Sequence, residues 1–175
     1  MDGVGELRES AYREVTDRAL PRRHPSTEEV AGEISSATSR PPNHVVVRWQ
    51  GGEAFESGRP GGPTLRVDGN AKVAQSPVDV LLTALATCSS IDVVSILAKR
   101  RTPVKSLEID VIGERANDRV PRKVTRIVLT FRITGANIER EHAERAVDLA
   151  VNKYCSVKDS LDPTIPIEWN VEVRR

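Results

Sequence analysis

The sequence predicts an α+β fold, and three observations carry that reading. Short β-branched runs of alternating polarity flank one long apolar helix, with strands both before and after it. A second helical pattern follows a pair of longer strands. No segment repeats. The predicted order is ββ–α–ββ–αα–β, with antiparallel pairing where one apolar and one charged face alternate along neighbouring strands.

The first strands start near His44. Val45-Val46-Val47-Arg48-Trp49 is β-branched, and Gly51-Gly52 marks a turn. Phe55 follows, then a Gly/Pro loop from Gly58 to Pro63. Thr64 to Asp68 alternates and ends at the turn Asp68-Gly69-Asn70, which completes a small meander. Ser76-Pro77-Val78-Asp79 then reads as a helix start: a Ser N-cap, Pro in the first position and an acidic third position favoured by the helix dipole. That helix extends to Lys99, Arg100 and Arg101, cations suited to a C-terminal end, and Pro103 stops it. Its length of about 24 residues corresponds to about 36 Å. It is apolar nearly all round, more than one small domain can cover, which points to an obligate dimer. Asp92 and several Ser and Thr residues argue for a buried helix rather than a membrane span.

Leu107, Ile109 and Val111 alternate with Glu108 and Asp110 in the next strand. Val124, Ile127, Leu129, Phe131 and Ile133 form its partner, with one break in alternation between Val124 and Ile127, and Arg119 to Lys123 connects the two. Asn137 is the expected cap of a helix that reaches Asn152 on an apolar face of Ala143, Ala146, Val147, Ala150 and Val151. Ser156 to Asp159 repeats the capping-box pattern and predicts a short helix to Leu161. A terminal strand alternates through Ile165, Ile167, Trp169, Val171 and Val173.

Composition bounds the function. Twenty-six Lys and Arg residues nearly balance 25 Asp and Glu, so no charge excess recommends nucleic acid or an anionic membrane as a partner. Aromatic residues make up 3% of the chain, too few for a base-stacking platform. The hydrophobic share of 38% predicts a core that fills only part of the 175 residues. Residues 1–42 are set apart by charge and by Pro21, Pro25, Pro41 and Pro42. They read as an N-terminal extension of short helices from Glu6 to Leu20 and from Ser26, ahead of a domain spanning 43–175. Met1 to Leu7 has neither a basic nor an apolar leader region, and the chain has two cysteines. Together these predict a reducing, cytoplasmic setting in which any disulfide is transient. His24, His44 and His142 are scattered away from the cysteines, so no metal spacing and no cofactor is predicted.

The two cysteines carry the chemistry. Cys88 lies mid-helix, Cys155 at a predicted helix start. An ordinary thiol is only about 3% ionised at pH 7. Burial lowers that fraction further, and a mid-helix position gains little from the helix N-terminus. A nucleophilic Cys88 therefore needs a nearby cation, the more so because Asp92 follows it by one turn. The residues alone leave two readings of Cys88 open, a small buried hydrophobe or a nucleophile.

The run Ser76-Pro77 to Thr87-Cys88 and on through Ser89-Ser90-Ile91-Asp92-Val93-Val94-Ser95-Ile96-Leu97 closely resembles the OsmC/Ohr family. Glu144 to Ala150 and Lys153-Tyr154-Cys155-Ser156-Val157 resemble its second cysteine region, and the likeness covers about residues 44–174. The resemblance implies an OsmC-like fold: antiparallel sheets wrapped around long central helices in an intertwined homodimer, with active sites at the subunit interface. It implies a cytoplasmic thiol peroxidase for organic hydroperoxides. Cys88 would be the peroxidatic thiol, Cys155 the resolving thiol, and an external dithiol the reductant. The family also holds its thiolate with an arginine and orients that arginine with a glutamate just after the helix-opening Pro. Here that position is Val78, which cannot accept a hydrogen bond. Asp79 is one residue on, and Arg48 is the candidate arginine. The departure leaves two further readings, a redox sensor and a dimeric small-molecule-binding module.

Overall fold

A computed structural model describes residues 41–174. The helices expected before Pro41 lie outside the described residues. The elements are β1 (Val46–Trp49), β2 (Ala54–Gly58), β3 (Thr64–Asp68), α1 (Pro77–Lys99), β4 (Val104–Arg115), β5 (Val124–Gly135), α2 (Arg140–Leu149), a π-helical turn (Ala150–Tyr154), α3 (Ser156–Asp159) and β6 (Ile167–Arg174). This is the predicted order on an α+β plan, except that three strands rather than two precede α1.

The described residues divide into two compact units, one holding 41–48 and 57–65, the other 49–56 and 66–174. In the first, the loop after β2 closes where the Gly62 amide donates to the Arg59 carbonyl at 3.0 Å. The Arg59 guanidinium donates to the Asn43 side chain at 3.2 Å. The strand order of the meander is β1–β2–β3.

In the second unit, the buried Asp68 carboxylate accepts the backbone amides of Asn70, Lys72 and Val73 at 3.0–3.1 Å. Those donors, the Asn70 amide foremost, hold its pKa below the usual value. The expected turn at Asp68-Gly69-Asn70 thus owes its shape to one carboxylate satisfying three amides.

α1 starts as predicted. The Asp79 amide donates to the Ser76 hydroxyl at 3.2 Å, and the Asp79 carboxylate accepts the Ser76 amide at 2.9 Å, a complete capping box. Arg100 caps the far end, and Arg101 takes a positive φ of 62°. Leu85, Ser89, Val93 and Leu97 recur every fourth residue and are fully buried. On α2, Ala143, Ala146 and Val147 are likewise fully buried, and so is Ala150 just after it. The small side chains let the two helices approach closely.

β4 and β5 pair antiparallel, with register breaks at Val104/Ser106 and at Glu114/Arg115, the latter opposite Arg126/Val124. Thr125 is the extra residue, in the interval where the alternation fails. Ile127, Leu129, Phe131 and Ile133 of β5 point into the core and are essentially inaccessible, each worth about 1.5–3 kcal/mol of burial. The opposite face is ionic: Arg132 reaches Glu108, Asp110 and Glu172, and Arg126 reaches Glu114 and Glu168. β6 joins this sheet parallel to β5, a pairing that the alternation in the sequence does not specify.

The second helix differs from expectation at both ends. Asn137 does not cap it. That residue adopts φ 58° in the turn after β5, and Glu139 is the N-cap of a helix starting at Arg140. Past Leu149 the chain widens into the π-helical turn, so the helical path continues to Tyr154. α1 is long and apolar enough to cross a membrane by length and composition. In this fold it lies against β4, α2 and α3.

Candidate functional site

The site forms where α3 meets the middle of α1. Cys155 and Ser156, rather than Ser156 alone, set the start of α3. Cys155 is the N-cap, and its sulfur accepts the Lys158 amide at 3.4 Å. Ser156 is therefore the first residue of the helix, so its hydroxyl is not taken up by capping. That hydroxyl lies 3.9 Å from the Cys88 sulfur. The buried Cys155 sulfur is 3.9 Å from the Leu85 carbonyl, one turn ahead of Cys88 on α1. Both thiols are free.

Among the described residues, hydrogen-bond donors set the electrostatics of Cys88. Partial burial pushes its pKa up. The Val157 amide, the Cys155 thiol, and the hydroxyl and amide of Ser156 outweigh that and hold the pKa below its ordinary value. Every group that lowers it is a hydrogen-bond donor from residues 155–157, and Asp92 is not among the groups acting on it. Asp92 lines a groove of about 540 Å³ between α1 and α2, together with Lys99, Arg100, His142 and Arg145. A smaller cavity of about 280 Å³ lies over residues 151–156 and opens beside Cys155.

The structure places the two sequence-predicted thiols at the same contact between α1 and the start of α3. Asp79 has a different role in the described structure. Asp79 belongs to the capping box of α1. Its carboxyl is held below the usual range by the Ser76 hydroxyl and amide, with the Arg115 charge adding to them. It also lines a cleft of about 470 Å³ between α1 and β4, whose apolar wall is Leu107, Ile109 and Val111. Val78, at the position of the family glutamate, packs against the hydrophobic core. Arg48 is exposed on β1, in the first unit. Among the described residues, no three His, Cys, Asp or Glu side chains converge as metal ligands. The sequence reading did not single out Ser156 and Val157, which act on the Cys88 sulfur. Their signal was adjacency to a cysteine at a helix start, where amides point outward unpaired.

The OsmC-like protein family matches residues 69–170, a span that holds both cysteines and their donors. The chain belongs to the OsmC-like family. It is 39% identical over 128 residues to the protein YhfA of Escherichia coli K12, covering 73% of this chain and 95% of YhfA. A crystal structure of a hypothetical protein from Aquifex aeolicus superposes with a TM-score of 0.64 at 27% identity, over 75% of this chain and 97% of the other. The organic hydroperoxide resistance protein OhrB of Bacillus subtilis shares the fold, with a TM-score of 0.51 at 16% identity over 74% and 96% of the two chains. The OsmC-like fold is therefore established for this chain. The two-thiol site lies within the part of the chain matched by the family.

Proposed function

We propose that this OsmC-like protein is a thiol peroxidase that reduces organic hydroperoxides to alcohols, with Cys88 as the peroxidatic thiol and Cys155 as the resolving thiol. The observation that carries the reading is the placing of both free thiols about one helix start: Cys155 caps α3, and the hydroxyl of the next residue, Ser156, lies 3.9 Å from the Cys88 sulfur. The Cys88 thiolate attacks the distal peroxide oxygen. An S–O bond forms as O–O breaks, and the alkoxide leaves and takes a proton from water. Cys88 becomes a sulfenic acid, a two-electron oxidation matched by reduction of the peroxide. Cys155 then displaces water from that sulfur to give the Cys88–Cys155 disulfide, and an external dithiol restores both thiols.

The name of OhrB, an organic hydroperoxide resistance protein, agrees with this substrate class. The mostly apolar surroundings of Cys88 on α1 favour an organic hydroperoxide over hydrogen peroxide. In this reading the protein works in the cytoplasm as a homodimer formed by residues 43–175, with 1–42 as a charged extension. Neither nucleic acid nor a membrane takes part.

A redox-sensing or ligand-binding role with little turnover is the second reading. It is favoured by Val78, whose core packing leaves the family's arginine-orienting position without an acceptor.

Intact-mass analysis of the reduced protein after one equivalent of cumene hydroperoxide separates the two. Loss of two hydrogens in the wild type, a trapped sulfenic acid in Cys155→Ser and no change in Cys88→Ser support the peroxidase. A wild type left unmodified over minutes rejects it.

A further inference from the structure

We infer that Ser156 is a catalytic residue, the side-chain donor that holds Cys88 as a thiolate. The inference rests on Cys88 being the nucleophile of the proposed reaction, and it adds a residue that the cysteine pair alone does not supply.

Cys88 sits eleven residues past Pro77 in α1, too deep for the dipole of its own helix to help, since that effect is confined to the first turn. The Ser156 hydroxyl is 3.9 Å from the Cys88 sulfur. Either atom can donate while Cys88 is a thiol. Once Cys88 is ionised it can only accept, so the hydroxyl must be the donor. Among the described residues that hydroxyl has no other hydrogen-bond partner. It is free because Cys155, one residue earlier, takes over the N-cap. The amides of Ser156 and Val157 act on the same sulfur. A thiolate thus meets a small cluster of donors, which the thiol form uses less well.

The same donors suit the reaction coordinate. As the S–O bond forms, negative charge leaves the sulfur for the departing alkoxide oxygen. A neutral hydroxyl can release the sulfur more readily than a tightly paired guanidinium can. Among the described residues, the groups that hold the Cys88 thiolate are hydrogen-bond donors.

The test is the pH profile of Cys88 alkylation by iodoacetamide, read by peptide mass in wild type, Ser156→Ala and Ser156→Thr. Ser156→Ala is expected to move the midpoint to higher pH. Below the midpoint, alkylation should slow by about tenfold for every pH unit that the midpoint moves. The high-pH plateau should be unchanged, which shows the site intact. Ser156→Thr, which keeps the hydroxyl, is expected to retain the wild-type midpoint. An unchanged midpoint in Ser156→Ala, or the same displacement in both variants, overturns the inference. Cumene hydroperoxide oxidation of the same set should slow by the same factor. If the wild type is not oxidised at all, the peroxidase reading fails while the alkylation profile still decides the role of Ser156.

Discussion

The Cys155 sulfur accepts the backbone amide of Lys158 at 3.4 Å and so caps the helix that begins with the next residue. One side chain is thus both a structural cap and a thiol beside Cys88. The two roles separate by substitution. Serine is a good N-cap and alanine a poor one. Cys155→Ser should keep wild-type stability in chemical denaturation, whereas Cys155→Ala should lose about 1 kcal/mol. A Cys155→Ser protein destabilised as much as Cys155→Ala would contradict the cap.

The capping box of α1 predicts a pH effect with a definite sign. The folded pKa of Asp79 is lowered, first by the Ser76 hydroxyl and then by the Ser76 amide. A depressed carboxyl stabilises the fold above its unfolded pKa of about 3.8 and loses that contribution as pH falls through the folded value. Asp68, Asp162 and Glu168 are lowered in the same sense. Thermal stability should therefore be flat near neutrality and decline at pH values below about 4. In Asp79→Asn the acid-dependent part of the decline should shrink. Ser76→Ala should cost about 1 kcal/mol at neutral pH.

The reduced protein should also gain stability on the alkaline side relative to Cys88→Ser. A thiol whose folded pKa lies below its unfolded value stabilises the fold above the unfolded pKa, and that stability disappears as pH falls through the folded one. Melting temperatures of both proteins between pH 6 and pH 10 should converge at the acid end and separate at the alkaline end. A constant difference across the range would contradict a lowered Cys88 pKa.

The uncovered surface of α1 tests the proposed homodimer. Ile91 is 69% exposed and Val94 42% exposed on a helix whose opposite stripe is fully buried. If a second copy covers them, sedimentation should give about 38 kDa, twice the chain mass of 19.2 kDa. Ile91→Glu should shift the protein toward monomer. A wild-type monomer at micromolar concentration would defeat the dimer.

Core packing gives a stability benchmark. Phe131 is fully buried in the hydrophobic core. Phe131→Ala should cost about 3–5 kcal/mol in urea denaturation. Arg132→Gln, on the ionic face, should cost less and be sensitive to salt. It leaves Glu108, Asp110 and Glu172 as neighbouring carboxylates without their shared cation.

Local chemistry made much of the fold legible. Ser76, Pro77 and Asp79 announce the start of α1 because their interactions span three residues. The extra residue at Thr125 shows in the break of β5 alternation because side-chain direction follows a period of two. Asn137 misled because a capping residue and a left-handed turn residue share the same amide chemistry. The parallel pairing of β6 was not legible, since alternation reports which faces are buried and not which way a strand runs.

The sequence by itself determined the family, the order of elements and the two thiols, all properties of neighbouring residues or recognisable motifs. Only the tertiary structure decided what acts on Cys88. Sequence reasoning asked for a cation. Among the described residues the fold supplies the Val157 amide, the Cys155 thiol and the Ser156 hydroxyl and amide, Ser156 lying 68 residues away in sequence. The physical reason is that a pKa depends on donors within a few ångströms in space, and a helix start exposes unpaired amides only where its own cap leaves them free.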